Sequence, residues 1–395
     1  MLRTKKQFIV DSRGRRVTLR GFNLGGWLLM ESYILRGPHV AEKIFKKKFK
    51  HALGQKALID FETSFRGTFI QELDFKTISS FGFNCVRIPF NHKLIETKPY
   101  RYSTKGLTYL KKAVQWAKKY KVWVILDLHA APGCQNMDWH ADSSGKALLW
   151  KSSVYRKRTI ALWRYLAEIF KDEEAIAGYD LLNEPIIANR TLNSFYKELI
   201  PAIRSIDTNH ILFIEPGNWS QDVFDLSRPD DERVAFSIHM YQPLDLSFNL
   251  APRLRYPFRE KTLQKQMSYH MNRLKACAAL SRRYNVPILV GEFGVNARGN
   301  KNGEISYLCD ILAVFKKHHF HWTYWTYKAV KNETFPDGAF HYVKNPPWVN
   351  REARVPGWEN YIPLWKTQKK YIIASWKTAL FEKDKQVIAA LQRAR

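Results

Sequence analysis

The amino-acid sequence predicts an α/β protein, a (β/α)8 TIM barrel formed as a single domain over residues 1–395. Three observations predict it. Eight short apolar runs recur along the chain, amphipathic segments fill most of the gaps between them, and nearly every run ends in a polar or aromatic residue. Runs that are apolar throughout suit parallel strands covered on both faces. Strands alternating with helices over this length imply parallel βα units. Eight units suggest closure into a barrel. The rival is a doubly wound open sheet, which the lack of G-x-G-x-x-G after the first run weakens.

The first run is TLRGFNLGGW (Thr18 to Trp27) and the second CVRIPF (Cys85 to Phe90). The third, WVILDLH (Trp123 to His129), follows LTYLKKAVQWAKKY, whose apolar residues recur at helical spacing with lysines on the outer face. RTIALWRYLAEIFKDE leads into the fourth run, GYDLLNEP (Gly178 to Pro185). FYKELIPAIRSID leads into the fifth, ILFIEP (Ile211 to Pro216), with Pro201 as a kink or break. The sixth is VAFSIHMY (Val234 to Tyr241). MNRLKACAALSRRYN precedes the seventh, PILVGEFG (Pro287 to Gly294), and ISYLCDILAVFKKHH the eighth, WTYWTY (Trp322 to Tyr327). A long loop, NPPWVNREARVPGW, comes next, and YIIASWKTALFEKD and QVIAALQRAR read as closing helices.

Composition sets outer bounds. A chain that is 45% hydrophobic over 395 residues can bury a full core, so it is neither a disordered tail nor a small stapled scaffold. The 64 Lys and Arg against 36 Asp and Glu give a net charge of +28, which attracts polyanions. A nucleic-acid partner is not expected, because no helix-turn-helix, RRM or zinc motif accompanies the charge. The four cysteines, Cys85, Cys134, Cys277 and Cys309, lie too far apart for C-x-x-C spacing and read as reduced, mostly buried thiols. No stretch reaches the apolar length of a transmembrane segment. The basic N-terminus lacks an apolar signal region, and a signal peptide removed from the mature chain stays open.

The active site of a barrel lies at the C-terminal ends of its strands. Those ends carry Arg87, then Asp127 and His129, then Asn183-Glu184-Pro185, then Glu215, then His239 and Tyr241, then Glu292, then Trp325. One glutamate at a strand end is ordinarily a salt bridge or a cap. Two, Glu184 and Glu292, with Arg, His, Asn and Tyr at neighbouring ends, are hard to explain that way. Paired carboxylates at one rim are what glycoside hydrolysis needs: a proton donor with a raised pKa and an ionised nucleophile. The glycines around Glu292 leave room for close approach. Asp138, His140 and Asp142 alternate as in a weak calcium site, but a polar sugar-facing loop is the favoured reading and no metal is expected. Cys134 reads as a small packing residue.

NEP with GEFG, in the order GFNLGGWL to WTYWTYK, resembles glycoside hydrolase family 5 over nearly the whole chain. The resemblance implies Glu184 as acid/base and Glu292 as nucleophile. It implies that Arg87 hydrogen-bonds the nucleophile region, and that His129, Asn183, His239 and Tyr241 take the remaining polar positions. Trp325 matches the tryptophan that floors the sugar subsite. GFNLGGWLLMES and HAAPGCQN are similar to the exo-β-1,3-glucanase and β-glucosidase branch, which makes Glu31 a contact to the terminal sugar and places Asn136 and Asp138 around the non-reducing end. Ala130 and Cys134 depart from that branch, as does the chain after Met137.

The expected function is therefore a retaining β-glycosidase acting on a β-linked oligo- or polysaccharide, without cofactor. Open alternatives are a transglycosylase, a glycolipid- or mannan-directed hydrolase, and a non-catalytic glycan or polyanion binder. Trp348 and Trp358 either line outer sugar subsites or anchor their loop. A monomer is expected. The resemblance favours a secreted or cell-surface protein, where the basic surface could hold an anionic cell-surface polymer, while the lack of a signal region keeps a cytoplasmic location open.

Overall fold

The computed structural model describes all residues except 36–38, 222, 331–333, 343–357 and 395. Eight parallel strands close into a barrel. They are β1 (Arg20–Asn23), β2 (Cys85–Asn91), β3 (Trp123–Ala130), β4 (Ile176–Asp180), β5 (Ile211–Ile214), β6 (Val234–Met240), β7 (Ile288–Phe293) and β8 (His321–Tyr324). β8 pairs with β1 and β4 with β5, so no edge is left. Each of the eight sequence runs overlaps a barrel strand, but the bounds differ. β1 occupies only the middle of Thr18 to Trp27, β5 and β8 stop at Ile214 and Tyr324, and β4 stops at Asp180, so Asn183 and Glu184 lie beyond the sheet.

The helical segments named in the sequence form Thr104–Tyr120, Ser153–Phe170, Asn189–Arg204, Lys261–Tyr284 and Glu304–Lys317. Pro201 sits inside its helix without ending it. Strict alternation fails once. Between β5 and β6 stands only the four-residue helix Gly217–Ser220, because the intervening chain turns to wall the site. The C-terminus also differs. Trp358–Ser375 is helical and Lys385–Arg393 closes the chain, but the intervening WKTALFEKD is a short 3-10 turn and a strand. Trp348 lies outside the described residues.

Two long segments form a second layer. Glu42–Thr68 is helical, with a break at Gly54, and it buries Phe45, Phe49, Phe61 and Phe65. Phe61 and Phe65 meet Trp376 edge-on at 5.5 and 5.0 Å, and Phe61 also packs on Trp365 at 5.2 Å. Such aromatic contacts add to area burial and fasten this layer to the barrel. Lys47, Lys48 and Lys50 of EKIFKKKFK point outward, as a solvated helix face should. The four cysteines are free thiols: Cys85 and Cys277 are buried, and Cys134 and Cys309 half-buried. Among the described residues no helix is long and apolar enough to cross a membrane.

Candidate active site

The C-terminal rim holds a cavity of about 500 Å³. Of the residues singled out in the sequence, Glu31, His129, Asp138, Glu184, Tyr241, Glu292 and Trp325 line it. Arg87, Asn136, Asn183 and His239 are not on its wall; they stand behind it and position the groups that are.

Arg87 on β2 is the hub. Its guanidinium is fully buried. Nε donates to Asp180 Oδ2 (2.9 Å), Nη1 to Asn23 Oδ1 (3.1 Å) and Glu292 Oε1 (2.9 Å), and Nη2 to Asn183 Oδ1 (2.9 Å) and Glu215 Oε1 (3.0 Å). Asp127 Oδ2 lies 3.1 Å from Nη1. A planar fork with several donors suits such a ring of acceptors. Burial lifts Asp127 to about 8 against the pull of Arg87, and lifts Asp180 well above the usual range. Glu215 goes the other way. Burial would raise it, but His239, Arg87 and the Ser220 hydroxyl hold it near 2.

Glu292 on β7 accepts from Arg87 and, through Oε2, from the Tyr241 hydroxyl at 2.8 Å. Burial and the neighbouring Glu292 keep the Tyr241 proton on, so it stays a donor. Glycine is required on either side. A Cβ at Gly291 would fall 2.7 Å from Ser237 Oγ and 3.2 Å from His239 Nε2, and one at Gly294 only 2.2 Å from the Trp325 carbonyl. The glycines thus let β6 and β8 crowd Glu292.

Glu184 is aimed by its backbone. Its φ of 45° lies in the left-handed region that favours glycine. Two bonds hold it there: its N–H donates to Glu215 Oε2 at 2.7 Å, and its carbonyl accepts from Asn136 Nδ2 at 2.9 Å. Asn136 is therefore a prop for Glu184 rather than a wall of the sugar site. The Glu184 carboxylate meets two imidazoles, His239 Nδ1 at Oε1 (2.8 Å) and His140 Nε2 at Oε2 (3.0 Å). Burial pushes this carboxyl up, yet the two imidazoles overcome it and hold it far below the usual range. This corrects the expectation of an acid with a raised pKa: the second imidazole, His140, meets Glu184 only through the turn of its loop.

One oxygen each of Glu184 and Glu292 and one nitrogen of His239 lie within 4.8 Å of one another. A divalent cation also uses such spacing. Here, however, His140, His239, Tyr241 and Arg87 already place donors on the carboxylates. The fixed charge of Arg87, 2.9 Å from Glu292, would repel a cation. No metal ligand is assigned among these residues. Asp138, His140 and Asp142 do not converge either: Asp138 accepts from Trp219 Nε1 (2.8 Å), His140 faces Glu184, and Asp142 pairs with Lys93 (2.7 Å).

Trp325 stacks on His129 with ring centroids 5.5 Å apart and planes 12° from parallel, and its Nε1 donates to the Tyr33 hydroxyl. Burial holds His129 near 3, hence neutral, with Nδ1 bonded to Asp127 at 2.7 Å. Glu31 is buried 3.6 Å from His129 Nε2, and burial with the nearby Glu292, Glu184 and Asp127 lifts it well above the usual range. Tyr33, Trp139, Trp219, Phe248 and Phe335 complete the wall. The sequence reading missed these aromatics and Glu215 as site residues; the glutamate ending the fifth run was the only available signal.

Comparison with known proteins places this geometry in a family. The profile described as Cellulase (glycosyl hydrolase family 5) matches residues 48–331. A β-xylosidase of Phanerodontia chrysosporium is 30% identical over 357 residues, 86% of this chain and 72% of that protein. A glucan 1,3-β-glucosidase of Blumeria graminis is 29% identical over 254 residues, 60% of this chain and 58% of that one. The structure of endoglucanase Cel5A from Thermotoga maritima superposes with a TM-score of 0.59 at 20% identity, covering 78% of this chain and 89% of that one, which supports the shared fold.

Proposed function

The chain belongs to glycosyl hydrolase family 5, and on that premise we propose that it is a retaining β-glycosidase acting on β-linked glucans or glucosides, β-1,3-linked ones foremost. Hydrolysis of O-glycosyl bonds follows from the family; the linkage and the double displacement are the proposal. Glu184 protonates the leaving oxygen while Glu292 attacks the anomeric carbon, and Glu184 then takes a proton from the water that releases the sugar.

The observation that carries the reading is the closeness of the two carboxylates, with oxygens within 4.8 Å at one rim. Retaining enzymes hold them about 5–5.5 Å apart, whereas inverting enzymes leave about 6.5–9.5 Å for a water. The β-1,3 preference rests on the GFNLGGWLLMES and HAAPGCQN blocks. Trp325 would floor the sugar, and Glu31 and His129 would bond its hydroxyls.

The test is proton NMR of an aryl β-glucoside and of laminari-oligosaccharides during cleavage. The β-anomer should form first and later mutarotate. An α-anomer first would refute double displacement, and cleavage confined to mannans or β-1,4-glucans would refute the linkage.

A further inference from the structure

His140 belongs to the stretch after Met137 that departs from the wording of the exo-β-1,3-glucanase and β-glucosidase branch, yet it reaches the candidate acid. Its Nε2 is 3.0 Å from Glu184 Oε2. The two imidazoles on Glu184 differ in kind. His239 stands behind the wall, its Nδ1 on Glu184 and its Nε2 3.3 Å from Glu215, fixed between two carboxylates. His140 is on the wall, in the single turn Trp139–Ala141, and takes the Glu184 oxygen that His239 leaves free.

We propose that His140 is a positioning residue that stores the proton Glu184 delivers to the leaving group. The inference rests on the reading of Glu184 as the acid/base. An ionised Glu184 cannot act as an acid, so a proton must reach it when the glycosidic oxygen arrives. The His140 Nε2–H bond breaks as an O–H bond forms on Glu184 Oε2. That O–H bond then breaks toward the leaving oxygen, while the C–O bond breaks and the bond from Glu292 to the anomeric carbon forms. His140 is left neutral. In the second half, water attacks the anomeric carbon, the Glu292–carbon bond breaks, and the water's proton passes through Glu184 back to His140. One proton leaves and one returns per turnover.

The surroundings suit this role. Facing His140 are Glu184 from the loop after β4, Glu31 from the loop after β1, Asp138 from its own loop, and His129 on β3 with ring centroids 6.1 Å apart. His129 is neutral, so the charged neighbours are carboxylates, beyond which lies His239. Burial would lower His140, but Glu184, Glu31 and Asp138 raise it to about 9. The imidazole therefore carries its proton across the neutral range. Asn136 Oδ1 accepts from the Asp138 N–H at 2.9 Å and so holds the loop that carries His140.

The experiment compares wild type, His140→Gln and His140→Ala on an alkyl β-glucoside, which needs an acid, and a dinitrophenyl β-glucoside, which does not. General acid catalysis contributes about 10²–10⁴-fold, so loss of the proton store should lower kcat/KM on the alkyl substrate by about ten- to hundredfold. The dinitrophenyl value should stay within about twofold. The basic limb of the alkyl pH profile, near 9 in wild type, should move down by a unit or more in both variants. Imidazole in the buffer should restore part of the His140→Ala activity. Equal losses on both substrates, or an unmoved basic limb, would overturn the proposal, since a merely structural residue gives that result. Glu184→Ala separates the two readings. If it keeps full alkyl-glucoside activity, the acid/base assignment itself fails; if it loses that activity while both His140 variants behave as wild type, only this inference fails.

Discussion

Replacing Arg87 with Met tests how the site is held together. The side chain is fully buried and lies 2.9–3.1 Å from four carboxylates, Asp127, Asp180, Glu215 and Glu292. Methionine keeps the length and removes the charge. Breaking one buried ion pair costs about 3–5 kcal/mol, and here one cation serves four partners, so the upper end applies. Part of the loss is relieved because burial already raises Asp180 and lifts Asp127 to about 8, which makes both carboxyls easier to protonate. Glu215, held near 2, loses one of its two cations and keeps His239 at 3.3 Å. Its folded pKa then rises toward the unfolded value, so the stability this depressed carboxyl adds above its unfolded pKa shrinks. The deficit should therefore be about 3–5 kcal/mol at pH 7 and smaller at pH 4. Urea unfolding followed by tryptophan fluorescence at both values measures it. Activity should fall by at least about 10³-fold, since the nucleophile loses its charged donor and Glu184 loses the Glu215 prop. A variant within 1 kcal/mol of wild type at pH 7, and still active, would refute the hub.

Tyr241→Phe removes the 2.8 Å donor to Glu292. It should lower kcat by about 10–100-fold with the melting temperature little changed, and an unchanged kcat would count against that contact. Glu62→Gln tests a site far from chemistry. Glu62 pairs with Lys46 (2.7 Å) and Arg66 (3.0 Å), which hold it near 2 against the effect of burial. A depressed carboxyl stabilises above its unfolded value and loses that benefit as pH falls through the folded one. The variant should be less stable by about 1–3 kcal/mol at pH 7, with the gap closing between about 4.5 and 2. A gap that does not depend on pH would reject this.

The barrel was legible because its strands are covered on both faces and so read as apolar runs whatever surrounds them. The strand ends were legible because Glu184, Glu292, Arg87 and Trp325 sit on or just past those runs. What stayed hidden depends on distant chain. The helix Glu42–Thr68 is not among the segments named in the sequence, since Gly54 interrupts its apolar spacing and its partners Trp365 and Trp376 lie far along the chain. The role of Glu215 exists only where Arg87 and the Glu184 N–H meet it. His140 reads as one of three alternating polar residues until the loop turns it toward Glu184, away from Asp142. The +28 charge, conspicuous in composition, is not concentrated at this chemistry: among the described residues the cavity wall carries acids, histidines, amides and aromatics but no lysine or arginine.

The central claim is that Glu292 bonds covalently to the sugar. Reaction with a deoxyfluoro β-glucoside carrying a good leaving group slows release of the intermediate, and mass spectrometry of the digested protein then locates the sugar. The account predicts one sugar per chain, on the peptide that contains Glu292. A label on Glu184 or Glu215, or turnover of the reagent with no adduct and an α-configured product, would contradict it.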